Sequence, residues 1–265
     1  MIIDLSALTD VGLQRKANED SLLLWDLTRG GELSDPANTS ADLRERAYLL
    51  VVADGMGGEV GGQIASQTAV DAVKRYAQSE FDAGLLGEPE KLTRWLARAI
   101  EDANRNILER VRQQAALKGM GTTMTAAMVF PERLVLVHVG DSRLYHLRDG
   151  QLRQLTVDHT RVQQLIAMGR LTPQEARGHE HQNLLLQAVG TDHSLEIDRV
   201  SASLQPGDKL LLCTDGLHGL VEEEEMQRIL SNGKSPAEQC HTLIERAKAR
   251  GGSDNITAII VHVRK

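Results

Sequence analysis

Aromatic side chains are nearly missing from this sequence: two Trp, three Tyr and two Phe make up 3% of its 265 residues. The core must therefore be aliphatic, and no series of rings is available on which a nucleic-acid single strand could stack. Cysteine is just as scarce. Cys213 and Cys240 lack the paired Cys/His spacings of a four-ligand structural zinc site and read as small core residues. Lys/Arg runs are missing too, and 30 basic residues stand against 37 acidic ones for a formal charge of −7. This excludes the basic stripe that tracks a phosphate backbone, so nucleic acid is not an expected partner. No window approaches the roughly 20 apolar residues of a membrane span. The opening Met1-Ile2-Ile3-Asp4-Leu5 has no basic stretch ahead of an apolar one. A soluble, cytoplasmic protein without a membrane partner is expected. Internal repeats, low-complexity tracts and Pro/Ser-rich linkers are also missing, which favours one domain over a string of modules.

What the chain does have is a series of short apolar or alternating runs: Ser21–Asp26, Tyr48–Ala53, Thr122–Phe130, Arg133–Val139, Leu144–Leu147, Leu184–Val189, Leu210–Cys213 and Ile256–Val263. They read as strands. Phe130-Pro131-Glu132-Arg133-Leu134 reverses the chain between two of them, and Arg148-Asp149-Gly150-Gln151 holds an Asp-Gly pair suited to positive φ. Such hairpins make the sheets mainly antiparallel. Along Gln63–Gln78 and Lys91–Leu117 the apolar residues keep one helical face. Ser235-Pro236-Ala237-Glu238 combines an N-cap, a first-position proline and a third-position glutamate, which starts a helix carrying Cys240, Leu243, Ile244 and Ala247 inward. The fold class is α+β with sheets layered between helices. The loosest stretches are Thr28–Arg46 and Arg170–Gln182.

Five aspartates flank these strands, each beside glycine or a small polar residue. Asp54 follows Leu49–Ala53 and precedes Gly55-Met56-Gly57-Gly58, while Asp141 follows Leu136–Gly140. Asp215 follows Leu210–Thr214, Asp254 precedes the last strand, and Asp20 precedes the first. Any one Asp-Gly after a strand suits a plain turn. A buried carboxylate, however, costs several kcal/mol unless a cation or donors meet it. An all-oxygen set without His or Cys suits Mg²⁺ or Mn²⁺, with glycine letting a carbonyl or water approach. Most of the acidic excess would then belong to one site.

Arg15-Lys16-Ala17-Asn18-Glu19-Asp20, Asp54-Gly55-Met56-Gly57-Gly58, Gly121-Thr122-Thr123, Val139-Gly140-Asp141-Ser142-Arg143, Thr214-Asp215-Gly216-Leu217 and Gly252-Ser253-Asp254-Asn255-Ile256-Thr257 resemble, in order, the motifs of the PPM/PP2C family of metal-dependent Ser/Thr protein phosphatases in its bacterial form. The resemblance implies a four-layer α-β-β-α sandwich of two mainly antiparallel sheets, with the metal site at one end. It implies two Mg²⁺ or Mn²⁺ ions: Asp54 bridging both, the Gly55 carbonyl on one, Asp215 and Asp254 on the second, and Asp20 acting through water. Many bacterial members bind a third, weaker ion at the residue matching Asp141, with Asp215 shared. Glu19 and Asn255 would neighbour these ligands.

By the same resemblance the reaction is attack of a metal-bridging hydroxide on phosphoserine or phosphothreonine of bacterial proteins. Arg15 would hold the phosphoryl oxygens through its two-pronged guanidinium; its structural alternative is a surface pair with Glu19 or Asp20. Met56 stands where eukaryotic relatives carry a protonating His, so the general acid is unassigned. The implied partners are phosphorylated proteins and a cognate Ser/Thr kinase, and a monomer is expected. The stretch from Asp158 to Gly190 would be a flap beside the metals, with His159 orienting it. His179 and His181, two residues apart in a loop, read as solvated surface, and Glu222–Glu225 as the first turn of an exposed helix. Two other functions share these residues: a non-catalytic phosphoprotein-binding scaffold on the same fold, and a phosphatase of a dedicated regulator or small phosphomonoester.

Overall fold

The run Leu49–Ala53 is apolar on both faces because it lies inside a stack. In β5 (Tyr48–Met56), Leu50 and Val52 point into one core cluster, and Leu49, Val51 and Ala53 into another. The period of two along a strand divides one sequence between two layers. In this computed structural model all residues from 1 to 265 are described except 34, 45 and 177, with Glu59 described by its backbone alone.

The strands preceding β5 are β1 (Ile2–Asp10), β2 (Asp20–Asp26), β3 (Gly31–Glu32) and β4 (Thr39–Asp42). After it come β6 (Gly121–Thr122), β7 (Met124–Phe130), β8 (Arg133–Val139), β9 (Arg143–Arg148), β10 (Gln151–Gln154), β11 (Asp198–Ser203), β12 (Lys209–Cys213) and β13 (Ile256–Arg264). The first sheet runs β10-β9-β12-β13-β1-β4. The second runs β11-β8-β7-β5-β2-β3, with β6 on β5. Every pairing between these strands is antiparallel. The β9–β10 reversal places Asp149 and Gly150 at φ 51° and 74°, the doubly left-handed turn that an Asp-Gly pair favours.

Helices α1 (Gly58–Glu80) and α2 (Pro89–Gln113) cover the outer face of the second sheet, joining Ala65, Ala69, Val73, Leu96, Ile100 and Ile107 to its core. Helices α5 (Asp215–His218), α6 (Glu223–Ser231) and α7 (Pro236–Ala249) cover the first sheet in the same way. The cluster between the sheets draws Ile3, Leu5, Leu50, Val129, Leu136, Leu212 and Ile259 together. These are the four layers α, β, β, α. Helix α7 begins with the full capping box of Ser235 and Glu238. Trp25, Trp95, Cys213 and Cys240 are buried, as their apolar settings suggest.

Two short helices, α3 (Arg161–Ala167) and α4 (Pro173–Ala176), lie in the stretch between β10 and β11. The structure corrects two expectations: a strand, Ile2–Asp10, comes ahead of Asp20, which opens the second strand instead of preceding the first, and the other correction lies in this stretch. Leu184–Val189 is not a strand: it makes only isolated bridges, Thr160 with Leu185 and Thr122 with Val189. Leu184 and Leu186 are exposed rather than packed in a sheet. Among the described residues no helix is long and apolar enough to cross a membrane.

Candidate active site

β2 and β5 run antiparallel in a register that sets Asp20 opposite Asp54. Two aspartates far apart in sequence therefore meet by sheet pairing alone. The first sheet brings the others. Asp215 begins α5 directly after β12, and Asp254 lies in the turn before β13, so the β12–β13 pair delivers both to one end of the sandwich.

Hydroxyls tie the two sheets together at this end. One oxygen of Asp20 accepts from Thr214 Oγ1 at 2.8 Å and from Thr257 Oγ1 at 2.6 Å. Its other oxygen, Oδ1, is buried without a partner among the described residues. Asp54 is fixed through its backbone, whose N–H donates to Thr123 Oγ1 at 2.9 Å and whose carbonyl accepts from Thr122 Oγ1 at 2.8 Å. Among the described residues Asp215 Oδ1 is a second buried oxygen without a partner. Asp141, at the end of β8, is also buried, and its carbonyl accepts from His218 Nε2 at 2.9 Å.

The neighbours act through the backbone. Asn255 accepts from the Glu19 N–H at 2.7 Å and donates to the carbonyls of Val11 and Ala17, each at 2.9 Å. Asn255 thereby fixes both ends of the loop that carries Arg15. Gly55 donates its N–H to the Glu19 carbonyl at 3.2 Å, and a Cβ on Gly55 would stand 2.1 Å from the Gly62 carbonyl oxygen. Glycine is needed there because two backbones touch. Arg15 reaches Asp254 rather than Glu19 or Asp20, with Nη2 donating to Oδ2 at 2.7 Å.

So many carboxyls in one place repel one another's charge. Burial pushes the Asp20 carboxyl up to about 7, against the donation of Thr257 and Thr214, with the charges of Asp215 and Asp254 adding to the rise. Burial likewise raises Asp54, with Asp20, Asp215, Asp141 and Asp254 contributing. It raises Asp141, helped by Asp215. For Asp215 burial comes first and the Asp254 charge second. A cluster of raised carboxyls with orphaned oxygens is an anion set whose charge is not met by protein. Hard divalent cations fit it: the donors are all oxygens, and two buried ones have no partner among the described residues. Among the described residues no group of three or more His, Cys, Asp or Glu side chains is placed to hold a metal ion.

All the residues singled out from the sequence, Arg15, Glu19, Asp20, Asp54, Gly55, Asp141, Asp215, Asp254 and Asn255, fall at this end of the sandwich. Sequence reasoning assigns no role to the threonines that hold the aspartates, Thr122, Thr123, Thr214 and Thr257. Their signal is position: each stands within two or three residues of a strand-end aspartate or of its paired strand. His179 and His181 lie in the α4–β11 connection, where their rings meet at a tilt with centroids 5.5 Å apart and His181 faces Glu180.

Residues 28–249 match the protein phosphatase 2C family. The serine/threonine phosphatase stp of Listeria welshimeri is 37% identical over 253 residues, covering 96% of this chain and 93% of that protein. Staphylococcus aureus Stp1, a serine/threonine phosphatase of known crystal structure, superposes with a TM-score of 0.86 at 31% identity, over 98% of this chain and 95% of that one. The catalytic domain of the serine/threonine protein phosphatase PstP, crystallised in complex with 2 manganese ions, gives a TM-score of 0.80 at 36% identity over 100% of both chains. Likeness that runs this evenly through sequence and structure reflects descent as well as shape, and the chain belongs to the protein phosphatase 2C family.

Proposed function

We propose that this protein is a Mg²⁺- or Mn²⁺-dependent protein phosphatase that removes phosphate from serine and threonine of phosphorylated cytoplasmic proteins and opposes a Ser/Thr kinase. The observation that carries this reading is the meeting of Asp20, Asp54, Asp215 and Asp254 at one end of the sandwich, with two buried oxygens, Asp20 Oδ1 and Asp215 Oδ1, left without partners among the described residues. Asp54, the Gly55 carbonyl, Asp215 and Asp254 would hold two ions, Asp20 would act through water, and Asp141 with Asp215 would hold a third. Such ions supply an activated water and neutralise phosphoryl charge.

The rest is work for the chain itself. Thr122 and Thr123 hold the Asp54 backbone still, and Thr214 and Thr257 hold Asp20, so the carboxylates need not reorganise when charge arrives. Arg15 sits at the rim, its side chain 48% exposed, where a planar cation can turn from Asp254 to two phosphoryl oxygens. Met56 has no titratable proton, so it is not the group that protonates the leaving alkoxide. The stretch from 158 to 190 forms a flap that contacts the protein around the phosphorylated residue, and the whole chain works as one such domain, as a monomer.

The test offers p-nitrophenyl phosphate and a phosphothreonine peptide with Mn²⁺, with EDTA, and to Asp54→Asn and Asp215→Asn. Phosphate release that needs Mn²⁺ and is lost in both variants is expected. Turnover indifferent to EDTA and to both substitutions would overturn the proposal, and phosphopeptide binding without release would mean a scaffold.

A further inference from the structure

One buried polar side chain of the covering helices has no part in the site above. Asn104 lies on α2 among Ala99, Ile100, Ala103 and Ile107, only 4% exposed. A buried amide is costly unless its hydrogen bonds are made. Asn104 spends both ends on one turn of chain: Oδ1 accepts from the Gly190 N–H at 2.6 Å, and Nδ2 donates to the Asp192 carbonyl at 2.8 Å. Gly190 has φ +92° and lies so close to the helix that a Cβ would stand 2.2 Å from Ile107 Cγ2. This turn is where the 158–190 stretch returns to the body of the molecule.

The same turn leads into the site. Val189 exchanges two backbone hydrogen bonds with Thr122, at 2.9 and 2.8 Å, and the Thr122 hydroxyl donates to the Asp54 carbonyl at 2.8 Å. At the other root, the His159 N–H donates to the Gly140 carbonyl and the Leu186 N–H to the His159 carbonyl, each at 2.7 Å. Gly140 precedes Asp141. Between its roots the stretch exposes Met168, Leu184 and Leu186 by 56%, 50% and 43%. These large apolar side chains are turned to solvent on a segment whose two ends abut Asp54 and Asp141.

We propose that Asn104 is a positioning residue for protein substrates. By fixing Gly190–Asp192 to α2 it sets the return path of the 158–190 stretch, and so the placement of Met168, Leu184 and Leu186 beside a bound phosphopeptide. A small aryl phosphate has no flanking residues to set against those side chains. The proposal rests on the phosphatase reading above.

Asn104→Leu keeps the branched shape, with more bulk, and removes both hydrogen bonds; Asn104→Ala is the companion variant that adds no bulk. KM and kcat are measured for p-nitrophenyl phosphate and for a phosphothreonine peptide with apolar flanking residues, at saturating Mn²⁺. Amide hydrogen exchange is followed in parallel. The expected result is a peptide KM raised about 10-fold, an aryl phosphate KM changed less than about 3-fold, and faster exchange confined to residues near 185–192. Equal losses on both substrates, or an unchanged peptide KM in a folded variant, would overturn the proposal. Should neither variant fold, the native protein decides: a Gly190 amide that exchanges as fast as an exposed loop contradicts the fastening. Native protein inactive on both substrates sinks the phosphatase reading, and the exchange of 185–192 in Asn104→Leu then judges the fastening by itself.

Discussion

Arg15 and Asp254, 239 positions apart, meet through a 2.7 Å hydrogen bond at the rim of the carboxylate cluster. Both side chains are partly open to solvent, 48% and 32% exposed, and a pair of that kind stabilises a fold by at most about 1 kcal/mol. Arg15→Ala should therefore leave the melting temperature within a few degrees of the native value. As a phosphate-holding group it should matter far more: loss of one such donor costs roughly 100-fold in kcat/KM. Arg15→Lys keeps the charge without the fork and should fall between. Steady-state kinetics at saturating Mn²⁺ decide the role. An unchanged kcat/KM for Arg15→Ala would reduce Arg15 to a partner of Asp254.

Thr214 and Thr257 converge on one oxygen of Asp20 from the ends of two adjacent strands of the other sheet. Valine at either position keeps shape and deletes a donor to a buried carboxyl, a loss of about 1–3 kcal/mol. Thr257→Val should lower the melting temperature and raise the Mn²⁺ concentration needed for half-maximal activity, and the double variant should do both more strongly. Differential scanning calorimetry and a Mn²⁺ titration of activity read the two effects separately. A variant with native metal dependence would mean that Asp20 acts without this support.

Much of this arrangement is legible in the order of the residues. Strands buried on both faces, such as β5 and β12, announce themselves as unbroken apolar runs, and the Asp149-Gly150 turn and the Ser235 capping box carry their geometry in their residue types. Edge elements do not. β11, Asp198–Ser203, alternates between half-buried and exposed positions and has too little apolar content to stand out. Leu184–Val189 fails in the opposite sense: its leucines look like core, yet Leu184 and Leu186 lie in solvent because a loop tied down at its roots needs no buried face. In the site, the aspartates stand out by recurring at strand ends, but that Asp20 faces Asp54 depends on sheet register, which spacing along the chain does not encode. Asn104 carries a signal, a lone amide on an apolar helix face, whose partners 86 and 88 residues away only the fold supplies.

Gly216 follows Asp215 where α5 passes under the Asp254–Asn255 turn, and a Cβ there would stand 2.0 Å from the Asn255 carbonyl oxygen. Backbone cannot retreat as a flexible side chain can, so Gly216→Ala must push the turn away. The expected cost is about 1–3 kcal/mol in stability, accompanied by weaker Mn²⁺ binding because Asp215 and Asp254 move apart. Isothermal titration with Mn²⁺ checks the second effect; unchanged affinity would place the Asp254 turn outside the metal site.

Proton and metal compete for the same carboxyls, which fixes the sign of the pH dependence. Asp20 binds its proton up to about pH 7 in the folded chain, against about 3.9 for an unfolded aspartate. Between those values the folded state holds the extra proton, so this group favours folding on the acid side, and its contribution is lost as pH rises through about 7. The metal-free protein should accordingly lose stability between about pH 6 and about pH 8. Mn²⁺ needs the ionised carboxylates, so its stabilisation should be larger at about pH 8, where less proton must be displaced, than at about pH 6. Thermal melts with EDTA and with excess Mn²⁺ at both pH values measure the difference directly. A Mn²⁺-induced rise in melting temperature equal at the two pH values would show that the ion does not bind these carboxyls.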